Sequence, residues 1–421
     1  MKKILALLCF ALPLMVFATQ YSLDDLIEYG LEHSIAMLEN DAVQQDAEAN
    51  MRTSWYDFLP SGSINASRTN SEQATFDVLT NTTSYERDWD SGASMSISKS
   101  LALNEPTVFN FLRNKNSLAS NKKNYEQRSK EVAYEIFTRY IAVLQAQKRL
   151  AIAQENLTLQ QRFYARVELQ HSLGNTSLLD KQQAEVTLID YQIALNEAQN
   201  TLVKSRISLF EYIKMDDAGY ECADLALNIG TLDETISDNN NLIAQRFALD
   251  NSKLSLIQQY IELYPSLSIG FSYTNASQSG VFDFGDYEDS YTVSLNASYP
   301  IFDFLNKREA YKSTKRAVRL QKMRYEDAQQ HLNNQLKTLL ADVKNLQKTN
   351  DLYQQKLALA QENLRMADTR YQQGTLSLLD YDKVRIDKQS AEISALNSYY
   401  SLLQAVENFH LLTSDKLLEK W

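Results

Sequence analysis

Glycine and proline are scarce in this chain, at ten and five among 421 residues. Together they make about 4%, against roughly 12% in average usage. Turn-dense β-sandwiches, collagen-like repeats and low-complexity chains need far more of both, so the composition argues against them. Cysteine is scarcer still: two cysteines cannot build a disulfide framework, and four histidines leave little for a metal site. Positive charge is in deficit, with 42 Lys and Arg against 53 Asp and Glu and a net −11. That sign is wrong for neutralising phosphates and disfavours a general nucleic-acid binder. Long hydrophobic runs are missing too. No stretch beyond the first residues stays apolar for the roughly 20 positions a membrane helix needs, so any insertion into lipid must use strands. Hydrophobic residues at 44% and charged residues at 23% are ordinary, which argues against wholesale disorder. A long, mostly helical, turn-poor chain is left.

The chain begins as a targeting segment. Lys2 and Lys3 precede the apolar run Ile4 to Phe17, and Val16-Phe17-Ala18 supplies a cleavage pattern; together they predict a secretory signal peptide over residues 1–18. Cys9 follows Leu7-Leu8 rather than a small residue, so lipidation is not expected. Cleavage would leave Cys222 as a lone thiol and the mature chain at −13.

The same unit occurs twice. Gly174-Asn175-Thr176-Ser177-Leu178-Leu179-Asp180 returns as Gly374-Thr375-Leu376-Ser377-Leu378-Leu379-Asp380, displaced by about 200 residues. Leu59-Pro60-Ser61 returns as Tyr264-Pro265-Ser266, and Ala153-Gln154-Glu155-Asn156-Leu157 returns as Ala360 to Leu364, displaced by about 207. The difference is one heptad, which a coiled coil absorbs without changing its buried face. The repeats predict a signal peptide at 1–18, a first unit at 19–215, a linker at 216–239, a second unit at 240–413 and a tail at 414–421. Within each unit the order is helix, strand pair, very long helix, tight turn, helix.

Apolar or small residues at Leu336, Leu339, Val343, Leu346, Tyr353, Leu357, Ala360, Leu364, Ala367 and Tyr371 fall in alternating fours and threes, broken once by Asn350. That is a coiled-coil seam. The helix after the first turn repeats the pattern through Ala184, Leu188, Tyr191, Leu195 and Ala198. The helix after the second does so through Ile386, Ile393, Leu396, Tyr400 and Leu403. Proline is absent from 107–173 and from 301–373, so each long helix could reach roughly 100 Å. The turns at 173–177 and 373–377 explain the reversals. Gly174 and Gly374 suit the left-handed position that ends a helix, and Ser177 with Asp180, like Ser377 with Asp380, fits the capping box that starts the next.

Strands are expected near 61–70, 90–101, 266–275 and 290–300, each alternating apolar with small polar residues. Tyr291, Val293, Leu295, Ala297 and Tyr299 give the plainest example. Each is about 9–11 residues, the length that crosses a bilayer when tilted, with aromatics at the ends as at membrane interfaces. The segments 70–88 and 275–289 read as polar connecting loops. Four strands cannot close a barrel, and open edges in lipid are costly. With no evident core inside one chain for the helical seams, the expected state is a ring oligomer. No phosphate loop, nucleophile elbow or zinc signature is present; His33, His171, His331 and His410 are scattered, so neither an enzyme nor a cofactor or metal site is expected. A structural coiled-coil envelope protein without a transport role is the alternative to a conduit.

The duplicated unit, Leu59-Pro60-Ser61 and Tyr264-Pro265-Ser266 at strand entries, Tyr299-Pro300-Ile301-Phe302-Asp303 at a strand exit, and Tyr371-Gln372-Gln373-Gly374 ahead of Ser377 to Asp380 resemble the TolC-type outer-membrane efflux proteins. The resemblance covers essentially the whole mature chain. It implies a mainly α fold with a small β part: two repeats of coiled-coil helical hairpins plus two β-hairpins, in a homotrimer with one 12-stranded outer-membrane barrel continued by a periplasmic α-helical barrel. It implies a passive exit duct in a tripartite efflux or type I secretion system. Its partners would be outer-membrane lipid, a periplasmic adaptor and an inner-membrane pump of RND, ABC or MFS type. The linker and tail would form an equatorial belt. The family closes its periplasmic tips with tyrosine and arginine links to aspartates, and Tyr371, Asp180 and Asp380 match those positions. Leu376 stands where an arginine is often found, and Lys383 where a second aspartate can occur.

Overall fold

A computed structural model describes residues 20–102, 106–225, 239–279, 288–299 and 301–413. The expected signal peptide at 1–18, the tail at 414–421, Pro300 and most of the 216–239 linker lie outside the described residues. The elements run β1 (Gln20–Tyr21), α1 (Leu23–His33), α2 (Ile35–Tyr56), β2 (Ser61–Asp77), β3 (Thr82–Ala102), α3 (Pro106–Ser172) and α4 (Leu178–Ile213). They continue with β4 (Glu221–Cys222), α5 (Asn240–Ile261), β5 (Ser266–Ser279), β6 (Glu288–Ser298), α6 (Phe304–Gln372) and α7 (Leu378–Thr413). With no proline past the first residue of α3 and none in α6, α3 runs unbroken for 67 residues and α6 for 69.

The chain divides into two units, one from the described parts of 1–40, 127–239 and 333–421, the other from 41–126 and 240–332. The second holds a four-stranded antiparallel sheet in the order β2-β3-β5-β6. Its register stacks apolar residues on one face: Ile269 opposite Leu295, Phe271 opposite Val293, Tyr273 opposite Tyr291, and Ile64 opposite Met95. Serines take alternate positions, with hydroxyl contacts at Ser61–Ser98 (2.9 Å) and Ser63–Ser96 (2.7 Å). Yet Ile64, Ile269, Phe271, Val293 and Leu295 are exposed. Among the described residues nothing covers the apolar face, and β2 and β6 each lack a second neighbour. Trp55, Phe58 and Phe111 form one aromatic cluster where α2 gives way to β2, and Tyr260, Tyr264 and Tyr311 another where α5 gives way to β5.

Composition misjudged the connection within the first hairpin. The polar segment 70–88 is not a loop: β2 and β3 stay paired from Ser61–Ser98 out to Asp77–Thr82, leaving 78–81 as the turn. Ladder hydrogen bonds do not depend on side-chain polarity, so a polar ribbon pairs as readily as an apolar one.

The first unit contradicts the expectation that one chain has no helical core. Ile27 of α1, Ile136, Phe137, Tyr140, Ile141 and Leu144 of α3, Leu209 and Ile213 of α4, and Leu402 and Phe409 of α7 are all fully buried. The Tyr140 hydroxyl donates to the carbonyls of Tyr21 (3.0 Å) and Ala223 (2.7 Å), fixing the two-stranded β1–β4 pair against α3. The coiled-coil seam of α6 is buried at Leu336, Val343 and Asn350, at the heptad spacing read from sequence.

Candidate functional site at the helical hairpin tips

Both long helices end alike. Gly174 (φ 77°) and Gly374 (φ 69°) are left-handed, where a side chain would be strained. Asn175 N–H donates to Gln170 O and Thr375 N–H to Arg370 O, each at 2.9 Å, closing the paired turn that satisfies a helix's last carbonyls. Three residues on, Ser177 Oγ accepts the Asp180 N–H at 3.1 Å while the Asp180 carboxylate accepts the Ser177 N–H (3.3 Å) and hydroxyl (2.7 Å). Ser377 and Asp380 repeat the hydroxyl pair at the same distances. Asp180 and Asp380 are therefore occupied as helix caps, Asp180 half-buried and Asp380 exposed.

Just inside the tips, all four helices of this region meet. Phe163 and Val167 of α3, Ala184 of α4, Ala367 of α6 and Tyr381 of α7 form a buried cluster, flanked by the half-buried Tyr371, Leu376, Leu378 and Val384. Tyr371 stacks on Tyr381, ring centroids 4.9 Å apart, and leans on Phe163 at 5.6 Å. Burial pushes the Tyr371 hydroxyl above its ordinary pKa; Arg166 opposes the shift, and Asp382 and Asp180 add to it. Tyr371 and Asp180 thus lie within each other's electrostatic reach. Leu376, standing where an arginine was considered, packs against the apolar cluster, and Lys383 is exposed.

Sequence reading missed the centre of this arrangement. Arg385 of α7, only 8% exposed, donates to Gln160 Oε1 of α3 and lies 3.4 Å from Asp382 Oδ1. Its guanidinium sits 5.4 to 5.8 Å from the ring centres of Phe163, Tyr191 and Tyr381, within range of cation–π attraction. Gln160 in turn donates to Ala184 O of α4 at 3.2 Å. One side chain thereby ties α6–α7 to α3–α4. Burial raises the Asp382 pKa, and Arg385 only partly offsets it. The Tyr381 hydroxyl donates to Asp368 at 2.7 Å. No local signal marks Arg385, because on α7 alone it reads as one more surface charge; Gln160, which it grips, is 225 residues away in sequence. No group of acidic, histidine or cysteine residues suited to a metal occurs among the described residues.

Residues 231–413 match the family model for outer membrane efflux proteins. No curated protein matches the chain. Among solved structures, the Campylobacter jejuni CmeC outer membrane channel is similar at a TM-score of 0.82 and 16% identity, covering 94% of this chain and 87% of that one. A membrane protein from Pseudomonas aeruginosa gives 0.81 and 17%, covering 93% and 90%. The open state of the Neisseria gonorrhoeae MtrE outer membrane channel gives 0.78 and 16%, covering 94% and 89%. The second repeat thus matches the outer membrane efflux protein family model, and over nearly its whole length the chain carries the fold of these channels.

Proposed function

We propose that the protein is the outer-membrane exit duct of a tripartite efflux or type I secretion system, set in the outer membrane and extending into the periplasm. It conducts cargo passively from a periplasmic adaptor and an inner-membrane pump of RND, ABC or MFS type. The observation that carries this reading is the sheet: four strands that, among the described residues, have an uncovered apolar face and two unpaired edges. Lipid covers such a face, but unpaired strand edges in lipid cost several kcal/mol per backbone group. Three copies that share edges make one 12-stranded barrel with no edge left over. The duct is closed at the helical tips, with Tyr371, Asp180 and Asp380 as the latch and Gly174, Ser177, Gly374 and Ser377 shaping the turns that carry it. Exposed pairs there contribute only about 0–1 kcal/mol each, so closure depends on threefold repetition.

Outer-membrane fractions should contain a heat-modifiable trimer that conducts ions in planar bilayers. Tyr371→Phe combined with Asp180→Ala should raise single-channel conductance; unchanged conductance would leave those residues as caps and packing alone. A monomer that never enters lipid vesicles would overturn the duct.

A further inference from the structure

We propose that the start of α6 is a binding site for anionic phospholipid, with Arg308, Lys312 and Arg316 holding headgroup phosphates where the sheet ends. The inference rests on the outer-membrane reading and adds a lipid class to it.

Residues 304–325 of α6 contain eight Lys and Arg against one acid, Glu309, in a chain whose net charge is −11. Arg308, Lys312, Lys315, Arg319 and Lys322 recur in alternating fours and threes, the spacing that lines side chains up in one stripe. All five are exposed. Like charges at these spacings repel along a helix, and the chain offers them few anions. Lys312 pairs with Glu309 at 2.6 Å and Lys322 with Glu326 at 3.6 Å. Arg308, Lys315, Arg316 and Arg319 make no ion pair among the described residues. Glu309 is held below the ordinary carboxylate range by its hydrogen bond to Lys312, with Arg308 and Arg316 adding to the effect. Near the start of α3, by contrast, Arg113 is taken up within the chain, donating to Asn110 (2.7 Å), Gln258 (2.8 Å) and Ser255 (3.3 Å).

The apolar surface just ahead of the stripe places lipid beside it. β6 ends at Ser298, and Ile301 (74%), Phe302 (94%) and Leu305 (66%) are bare. Leu305, Arg308, Lys312 and Arg316 follow at spacings of three, four and four, and so share one face. Apolar side chains at the sheet end with Lys and Arg directly below them match a lipid interface, where cations meet the phosphates. Along the helix axis Arg308 lies about 5 Å and Arg316 about 17 Å beyond Leu305. Helical side chains lean toward the N-terminus, here the membrane end, and long cationic ones reach further still. Arginine adds a planar fork suited to phosphate. A zwitterionic headgroup brings its own cation to an already cationic stripe, so the site selects a headgroup of net negative charge.

The test titrates the full chain, purified in an uncharged detergent, with phosphatidylglycerol or phosphatidylcholine and counts bound lipid by native mass spectrometry. Phosphatidylglycerol should bind preferentially, the preference weakening with added salt and withstanding inorganic phosphate. Arg308→Gln with Lys312→Gln and Arg316→Gln should weaken phosphatidylglycerol binding at least about tenfold at unchanged oligomer mass. Lys337→Gln with Lys344→Gln and Lys348→Gln, the same charge change at least about 30 Å farther along α6, should leave it intact. Equal binding of the two lipids, full preference in the first variant, or equal loss in the second would overturn the site and leave the duct standing. Displacement by inorganic phosphate would also overturn it, as would an oligomer that dissociates in the first variant, since the stripe would then answer another copy. A wild-type monomer that never enters lipid vesicles would overturn the duct itself.

Discussion

At a helix start the Asp180 carboxylate answers the Ser177 N–H and hydroxyl, and the Asp380 carboxylate answers the Ser377 hydroxyl, so their first effect is on stability. Asp180→Ala should cost about 1 kcal/mol, read as earlier thermal unfolding and faster proteolysis near 174–180. Arg385 carries more. Removing one partner of a buried pair leaves an uncompensated charge, so Arg385→Ala should destabilise by about 3 kcal/mol, while Arg385→Met with Asp382→Leu should recover most of the loss. Denaturant unfolding of the four variants of that cycle measures both. Because the folded pKa of Asp382 is raised, its contribution is full below the ordinary carboxylate value near 4. It is lost as pH rises through the folded value. Asp382→Asn should therefore flatten that part of the pH–stability profile. Gly174, Ser177 and Asp180 were legible because their partners lie within five residues. Asp382 and Arg385 were not, because what buries them comes from α3 and α4.

At the scale of elements, period gave the helices and alternation gave the strands. Helix length followed from the missing prolines, and the seam of α6 from its heptads. Two things escaped that logic. Ile386, placed on the seam by spacing, is exposed, with its neighbour Arg385 buried in its place; a heptad says that one stripe is buried without saying which partner shifts its centre. The anchoring of β4 also had no signature. Arg206 grips Asp217 with two hydrogen bonds and donates to Tyr220 O at 2.8 Å. Ala218 N–H donates to the Tyr21 hydroxyl at 2.7 Å, and burial pushes the Cys222 thiol up to about 11. Burial acts to raise the Asp217 pKa, but Arg206 and the Gly219 N–H outweigh it and hold it low. Its stabilisation is thus present above the ordinary carboxylate pKa and lost as pH falls through the folded value. Asp217→Asn should cost about 2 kcal/mol at neutral pH and remove that acid limb from a thermal-denaturation series.

For the whole molecule, the uncovered sheet face and the exposed Ile189 and Ile193 of α4 make the same demand. Further copies would satisfy both, and protein mass in detergent is the direct measure: a trimer is expected, resistant to dissociation until heated. Sequence by itself determined the duplication, the tip turns and the helix and strand types, because each follows from local stereochemistry and periodicity. Only the tertiary structure decided that one chain owns a core of its own, that 70–88 is paired strand, and that a buried arginine joins the two hairpins. Those depend on which side chains distant in sequence arrive at the same place, and that is set by the packing of whole helices.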